Sequence, residues 1–344
     1  MPSRRPGALP RRFRQGVPLA FLAAVHSVAC DSLPLSLGDE NSIIVTAAPE
    51  LWEEVAVSLV PALERTVFTV RDEKTFTVTS GELGGENWPL LRQLRRQLVL
   101  GTPADPWMEP ALAKAKEEVV PPRIAQVEDV WARGQVVTLV VLEEGNEAEG
   151  VLELLPSLAE LYDSQFRERA VARMFVTDPD TALARRLWEE HRFTLLVPSV
   201  YTYASAGSVH LFRNDNPDPS ELIRQFAVSW QAPVQPGFGT ADLLAWRSRI
   251  VDDHYNYPQI LNLERAVEGR AVLHGNATLT YQAVWENPPG GYPAAGPFIV
   301  RAVDCPDQGR RYLMDAWLYA PGRDKYQYMI QLETIMDSFR CTKG

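Results

Sequence analysis

Leu273-His274-Gly275-Asn276-Ala277-Thr278-Leu279-Thr280-Tyr281-Gln282-Ala283-Val284-Trp285 is the stretch on which the fold turns. Leu273, Gly275, Ala277, Leu279, Tyr281, Ala283 and Trp285 alternate with His274, Asn276, Thr278, Thr280 and Gln282. A β-strand turns successive side chains to opposite sides, so this alternation predicts one long strand with an apolar and a polar face. Next come the turn formers Asn287-Pro288-Pro289-Gly290-Gly291-Tyr292-Pro293, then apolar runs at 298–303 and 311–319, which complete a three-stranded meander. A helix is predicted after Pro321, with Tyr326, Met329, Leu332, Met336 and Phe339 on one side. Upstream, residues 193–197, 201–212 and 222–230 read as a first meander and 241–254 as a helix. The order strands, helix, strands, helix predicts an antiparallel sheet with helices on one face.

The first half has another texture. Ile43-Ile44-Val45, Gln97-Leu98-Val99-Leu100 and residues 136–142 are continuous apolar runs, the pattern of strands covered on both sides. Leu51, Val55, Leu59 and Leu63 recur at helical spacing, as do Leu158, Tyr162, Phe166, Ala170 and Met174. Strands that alternate with helices predict an α/β layer with a mostly parallel or mixed sheet. The class is therefore α+β: an N-terminal α/β domain with a mixed sheet at 41–178 and a C-terminal domain, an antiparallel sheet with helices packed on it, at 179–344.

Residues 1–29 read as a leader. Arg4, Arg5, Arg11, Arg12 and Arg14 precede a short apolar stretch at 17–25, and Ser27-Val28-Ala29-Cys30 ends on a small residue before a cysteine. That is the layout of a secretory signal, and its apolar stretch is too short to cross a bilayer core of ~30 Å. The segment resembles a bacterial lipoprotein signal. The resemblance implies acylation of Cys30, a tether over 30–40, the lipid bilayer as a partner, and a membrane-anchored place in the cell envelope, on the periplasmic or outer-membrane face. The alternative is a secretory signal without lipidation. If Cys30 is acylated, Cys305 and Cys341 remain as an even pair and a candidate disulfide; the alternative is two unpaired thiols.

Composition fits a folded protein, with 46% hydrophobic and 23% charged residues. Removing the five leader arginines from a net charge of −10 leaves −15, which argues against nucleic acid or an anionic lipid surface as the main partner. The sequence carries no GxGxxG after a strand, no GxxxxGK[ST], no HExxH, no GxSxG and no EF-hand loop, so no cofactor is expected. Asp252-Asp253-His254, near Tyr255 and Tyr257, is the nearest approach to a catalytic or metal-binding cluster. Successive helical residues point about 100° apart, so the three converge only if the helix has already ended. His274 reads as a histidine on the polar face of a strand, and neither His191 nor His210 has a carboxylate or thiol at ligand spacing.

The aromatic residues around the two Pro/Gly-rich connections offer a better candidate. Trp230 and Phe238 flank one connection, and Trp285, Tyr292 and Phe298 flank the other, with Arg247 on the helix between them. Trp and Tyr give large contact area at small rotamer cost, which suits a protein, peptide or glycan partner. The alternative is that Trp285 and Phe298 close the core and that Arg247 and Arg249 are surface charges.

Three stretches carry a family resemblance: residues 41–54 with Glu50-Leu51-Trp52; residues 128–141 with Asp129-Val130-Trp131-Ala132 and Gln135; and residues 311–339 with Trp317, Tyr319-Ala320-Pro321 and Leu332. Together they resemble the DUF4837 family of uncharacterised envelope proteins, many of them predicted lipoproteins. The resemblance implies location and architecture and no activity. More loosely, the strand order of the second half and its closing helix resemble the Mog1/PsbP-type α/β/α sandwich. The expected function is a non-catalytic binding or assembly-support lipoprotein; the alternative is an envelope hydrolase or metal-dependent enzyme built on Asp252, Asp253 and His254.

Overall fold

The first apolar run forms β1 (Ser42–Thr46), buried through its last four residues. The computed structural model describes residues 33–341, so the leader and Cys30 lie outside the described residues. After β1 come α1 (Pro49–Leu63), the ribbon β2 (Thr66–Phe68) and β3 (Asp72–Lys74), β4 (Thr77–Ser80), α2 (Trp88–Leu91) and β5 (Arg96–Gly101). Then follow α3 (Glu109–Leu112), β6 (Arg123–Glu128), β7 (Val136–Val141) and the long α4 (Glu147–Met174). Strands pair in the order β4-β1-β5-β7-β6, parallel except for β6 on β7, which is the mixed sheet expected. Val55 and Leu59 of α1 and Leu158, Tyr162 and Phe166 of α4 cover one face; Met108 and Ala111, at α3, lie on the other.

The second half contains α5 (Thr181–His191), β8 (Thr202–Ala206), β9 (Val209–Asn214), β10 (Ile223–Gln231), α6 (Thr240–His254), β11 (Ile260–Leu273), β12 (Asn276–Glu286), β13 (Ala295–Cys305), β14 (Arg310–Tyr319) and α7 (Tyr326–Asp337). The Asp180 carboxylate caps α5 by accepting from Leu183 N at 2.8 Å, and Asp242 accepts from Gly239 N at 3.0 Å at the start of α6. Seven antiparallel strands run in the order β11-β12-β13-β14-β10-β9-β8.

Three expectations are corrected here. The alternating stretch is not one strand: His274 and Gly275, at φ 50° and 86°, form a two-residue hairpin turn, so the strand begins at Asn276 and β11 runs back along it. Alternation continues unbroken through those two positions, which is why the pattern hid the turn. Residues 193–197 make no strand, only a bridge between Thr194 and Arg340, although Phe193, Leu195 and Val197 are buried. Helices also cover both faces of the sheet. Met314, Ala316 and Leu318 of β14 meet α7 and α5, while Leu313 and Trp317 face Leu243, Trp246 and Ile250 of α6. Strands covered on both sides lose the polar face that one-sided packing requires.

The expected boundary near 178 falls between α4 and α5, and α7 serves both sides of it. Its Met329, Leu332 and Met336 pack on the seven-stranded sheet, while Tyr326 and Ile330 join the core around α4. Gln331 Nε2 donates to Ala170 O at 3.1 Å. Buried Glu73, on β3, accepts from Lys325 N at 2.7 Å and Tyr326 N at 3.1 Å, a remote carboxylate capping the positive end of α7. Pro34 onward forms one compact unit. Cys305 and Cys341, both buried in the α7-side core, are joined in a disulfide that ties the end of β13 to the chain beyond α7.

Candidate functional site

At one end of the seven-stranded sheet, β12 presents Trp285 and β14 presents Trp317 and Tyr319. The segment after α6 adds Tyr257, and the β12–β13 connection adds Asn287 and Tyr292. These side chains line a cavity of about 430 Å³ that also reaches Ile223 on β10 and the loop at 218–220. Trp285 and Trp317 lie edge to face, ring centroids 5.3 Å apart, and Tyr257 meets Trp317 at 6.3 Å in the same manner. Trp285 is buried and locked, its Nε1 donating to Leu318 O at 3.1 Å. Tyr292 is 72% exposed at the rim. Its connection is braced by Asn287 Nδ2 donating to Tyr292 O at 2.7 Å and Asn287 N donating to Ala294 O at 2.9 Å. Burial and the Tyr292 hydroxyl push the Tyr319 phenol above its ordinary value, so Tyr319 is a neutral hydrogen-bonding group at neutral pH. Two buried polar atoms of the lining, Trp317 Nε1 and Asn287 Oδ1, have no hydrogen-bond partner in the protein. Both belong to residues that line the cavity, a donor and an acceptor left without a partner beside apolar ring surface.

Directly behind Trp317 lies a buried charge network. Arg247 Nε donates to Asp315 Oδ1 at 2.8 Å, Arg247 Nη2 donates to Gln259 Oε1 at 2.6 Å, and Tyr255 Oη donates to Asp315 Oδ2 at 2.6 Å. The Arg247 guanidinium stands 3.9 Å from the Phe298 ring centroid. Burial, then the Asp315 charge, pushes the Tyr255 phenol well above its ordinary value, so it stays a donor. Arg247, expected at the surface, is wholly buried, whereas Arg249 is exposed as expected. The overlooked signal was Asp315 itself, an acid inside the apolar run of β14, which needs a buried cation to be tolerated.

The remaining candidates do not converge on this cavity. Trp230 packs toward the α7 side, with the Arg310 guanidinium 4.0 Å from its ring centroid. Phe238 packs on the α6 side, against Trp246 and beneath Arg311. Phe298 closes the core. Asp252 and Asp253 are exposed, and α6 continues through His254, so the three side chains diverge. Among the described residues no group of three His, Cys, Asp or Glu side chains could hold a metal ion, and no helix is long and apolar enough to cross a membrane. His274 sits at a hairpin tip instead of inside a strand, its Nε2 donating to Asp337 O at 2.7 Å.

Residues 180–338 match DUF4837, a domain of unknown function. The matched residues include the whole aromatic cavity and the Arg247–Asp315 pair, while the stretches at 41–54 and 128–141 lie outside the match. No curated protein matches the chain. Similar solved structures include the Ran-binding protein Mog1p of Saccharomyces cerevisiae, 8% identical over 44% of this chain and 90% of its own, TM-score 0.29. Cyanobacterial PsbP of Synechocystis is 14% identical over 43% and 85%, TM-score 0.28. LpqN, involved in cell envelope biogenesis of Mycobacterium tuberculosis, is 16% identical over 42% and 79%, TM-score 0.27. Superpositions this loose add nothing to the α+β architecture seen directly.

His210, on β9, supplies a pH test. It is 1% exposed, its Nδ1 pairs with Tyr203 Oη at 2.9 Å, and the His191 ring lies 4.3 Å away. Burial, then His191, pushes its pKa down to about 4. The unfolded chain, with an ordinary histidine, takes up a proton between pH ~6.5 and that value while the folded protein does not, so stability falls as pH drops through this window. The full loss is on the order of 3 kcal/mol. Urea unfolding at pH 7 and pH 4 is expected to show a smaller fall in His210→Phe than in wild type; equal falls would exclude His210 as the cause.

Proposed function

We propose that the protein is a cell-envelope lipoprotein, anchored through an acylated Cys30, that acts by binding through the aromatic cavity of its DUF4837 region. One observation carries the binding reading. A cavity walled by five aromatic rings, one fully at the rim, keeps two buried polar atoms unpaired, and burying such atoms costs about 1–3 kcal/mol each unless something completes them. A sugar ring or a peptide segment offers the matching chemistry, an apolar face against the rings and polar groups toward Trp317 Nε1 and Asn287 Oδ1. The leader supports the location, because two or more acyl chains on a cysteine hold a protein at a bilayer. Catalysis is the weaker reading, since Asp252, Asp253 and His254 point apart at the end of α6.

A photo-crosslinking residue at position 292 tests binding, and intact mass with fractionation beside Cys30→Ala tests anchoring. The wild-type chain is expected in the membrane fraction with a lipid-sized mass increment that the variant lacks. A specific adduct is expected at position 292, competed by its isolated ligand. Tyr292→Ala is expected to weaken that ligand about tenfold. An unmodified soluble wild type would overturn the anchor; no adduct at 292 would overturn the cavity.

A further inference from the structure

Away from the aromatic cavity, a second cavity of about 390 Å³ opens beside the start of the five-stranded sheet. Among the described residues, Arg95, Arg96 and Arg169 line it together with one carboxylate, that of Glu40, in a chain whose net charge is −10. Glu40 lies between two of them, one carboxylate oxygen paired with Arg95 Nη1 and the other with Arg169 Nη1. Arg96 is 1% exposed; its Nε donates to the Glu40 main-chain oxygen at 2.8 Å and its Nη1 to Gln165 Oε1 at 3.1 Å. Its Nη2 and the Arg95 Nε are buried with no hydrogen-bond partner in the protein.

The walls are held by main-chain bonds, Arg95 N to Leu37 O at 2.9 Å and Val136 N to Arg95 O at 2.9 Å, so the guanidinium groups stand on a rigid frame. Arg96 is buried with an unused donor and bonds no carboxylate, because that of Glu40 is taken by Arg95 and Arg169, so its charge is undercompensated. Planar guanidinium forks match tetrahedral oxyanions in geometry and charge. We propose that this cavity binds a phosphate group, with Glu40 as the internal anion that the phosphate displaces. Burial first, with Arg95 and Arg173 adding to it against the opposing Glu40, pulls the Arg169 guanidinium below its ordinary value, and an incoming anion relieves that crowding. This inference uses no residue of the aromatic cavity and stands whatever binds there.

The test uses the full chain in detergent micelles, titrated calorimetrically with inorganic phosphate, beside Glu40→Gln and Arg169→Gln. Removing the competing carboxylate is expected to tighten binding about tenfold, and removing a guanidinium to weaken it about tenfold. A merely structural role for Glu40 would not give tighter binding in Glu40→Gln, and that variant keeps the test open if Arg169→Gln fails to fold. Leu35, in the cavity wall, stands five residues after Cys30 in the sequence, so a second arm floats the Cys30→Ala full chain with phosphatidylglycerol vesicles. The same variant order with inorganic phosphate assigns a soluble phosphate group, and the order appearing only with vesicles assigns a lipid headgroup. Equal binding by all three proteins, or none in either arm, overturns the proposal.

Discussion

Asp315→Ala is expected to cost about 3–5 kcal/mol of unfolding stability, the range for a buried ion pair that loses one partner. Arg247 and Asp315 are both essentially free of solvent, with side-chain exposures of 1% and 0%. Without the carboxylate, Arg247 keeps only Gln259 and the Phe298 ring, and the Tyr255 hydroxyl loses its acceptor. The pair itself contributes far less than its disruption costs, because both charges were desolvated to form it. Arg247→Met combined with Asp315→Leu is therefore expected to recover most of the loss. Urea unfolding followed by tryptophan fluorescence reads this directly, since Trp317 lies 5.9 Å from Tyr255, ring to ring. A loss below about 1 kcal/mol in Asp315→Ala would mean that water reaches Arg247 and that the network does not brace the aromatic cavity.

Gly296→Ala is expected to be as damaging for a steric reason. A Cβ at Gly296 would stand 1.8 Å from Leu318 O and 2.7 Å from Trp285 Nε1, distances that no rotamer adjustment relieves because the first contact is with main chain. Gly296 pairs with Trp285 across β12 and β13, and Leu318 O accepts the Trp285 indole hydrogen, so one methyl separates strands and unseats the central ring together. The expected cost is at least about 3 kcal/mol, at the severe end for single substitutions. Gly269→Ala is the control: a Cβ there meets nothing within 4 Å, and a change within ~0.5 kcal/mol is expected. Thermal unfolding of the two variants separates local crowding from a general intolerance of alanine in the sheet. A Gly296→Ala protein that unfolds like wild type would mean that the β13–β14 spacing at Leu318 is not held as described.

Both substitutions strike the support of the aromatic cavity, not its lining. Asp315 and Gly296 hold Trp317 and Trp285 from behind, while the Tyr292 ring is largely exposed at the rim. A cavity with buried, packed indoles at its base and one exposed ring at its mouth is organised before its ligand arrives, which lowers the ordering cost of binding.

Local pattern alone determined the α+β class, the buried strands at 43–45, 97–100 and 136–142, and the helices whose stripes run from Leu51 to Leu63, Leu158 to Met174 and Tyr326 to Met336, although Phe339, expected on the last stripe, falls beyond the end of α7. Those assignments held because periodicity records which face of an element avoids water, a property each element carries in its own residues. Only the tertiary structure decided what met those faces. The hairpin at His274-Gly275 was invisible because glycine and histidine continued the alternation while their backbones reversed the chain. Arg247 looked like a surface charge because its partner, Asp315, lies 68 residues away on another element. Trp285 and Tyr292 were legible as a pair, but Tyr257, Trp317 and Tyr319 joined them only through strand register and the packing of α6. A residue's own neighbourhood in sequence sets whether it can be buried; its partner in space sets whether burial is stable, and that partner is chosen by the fold.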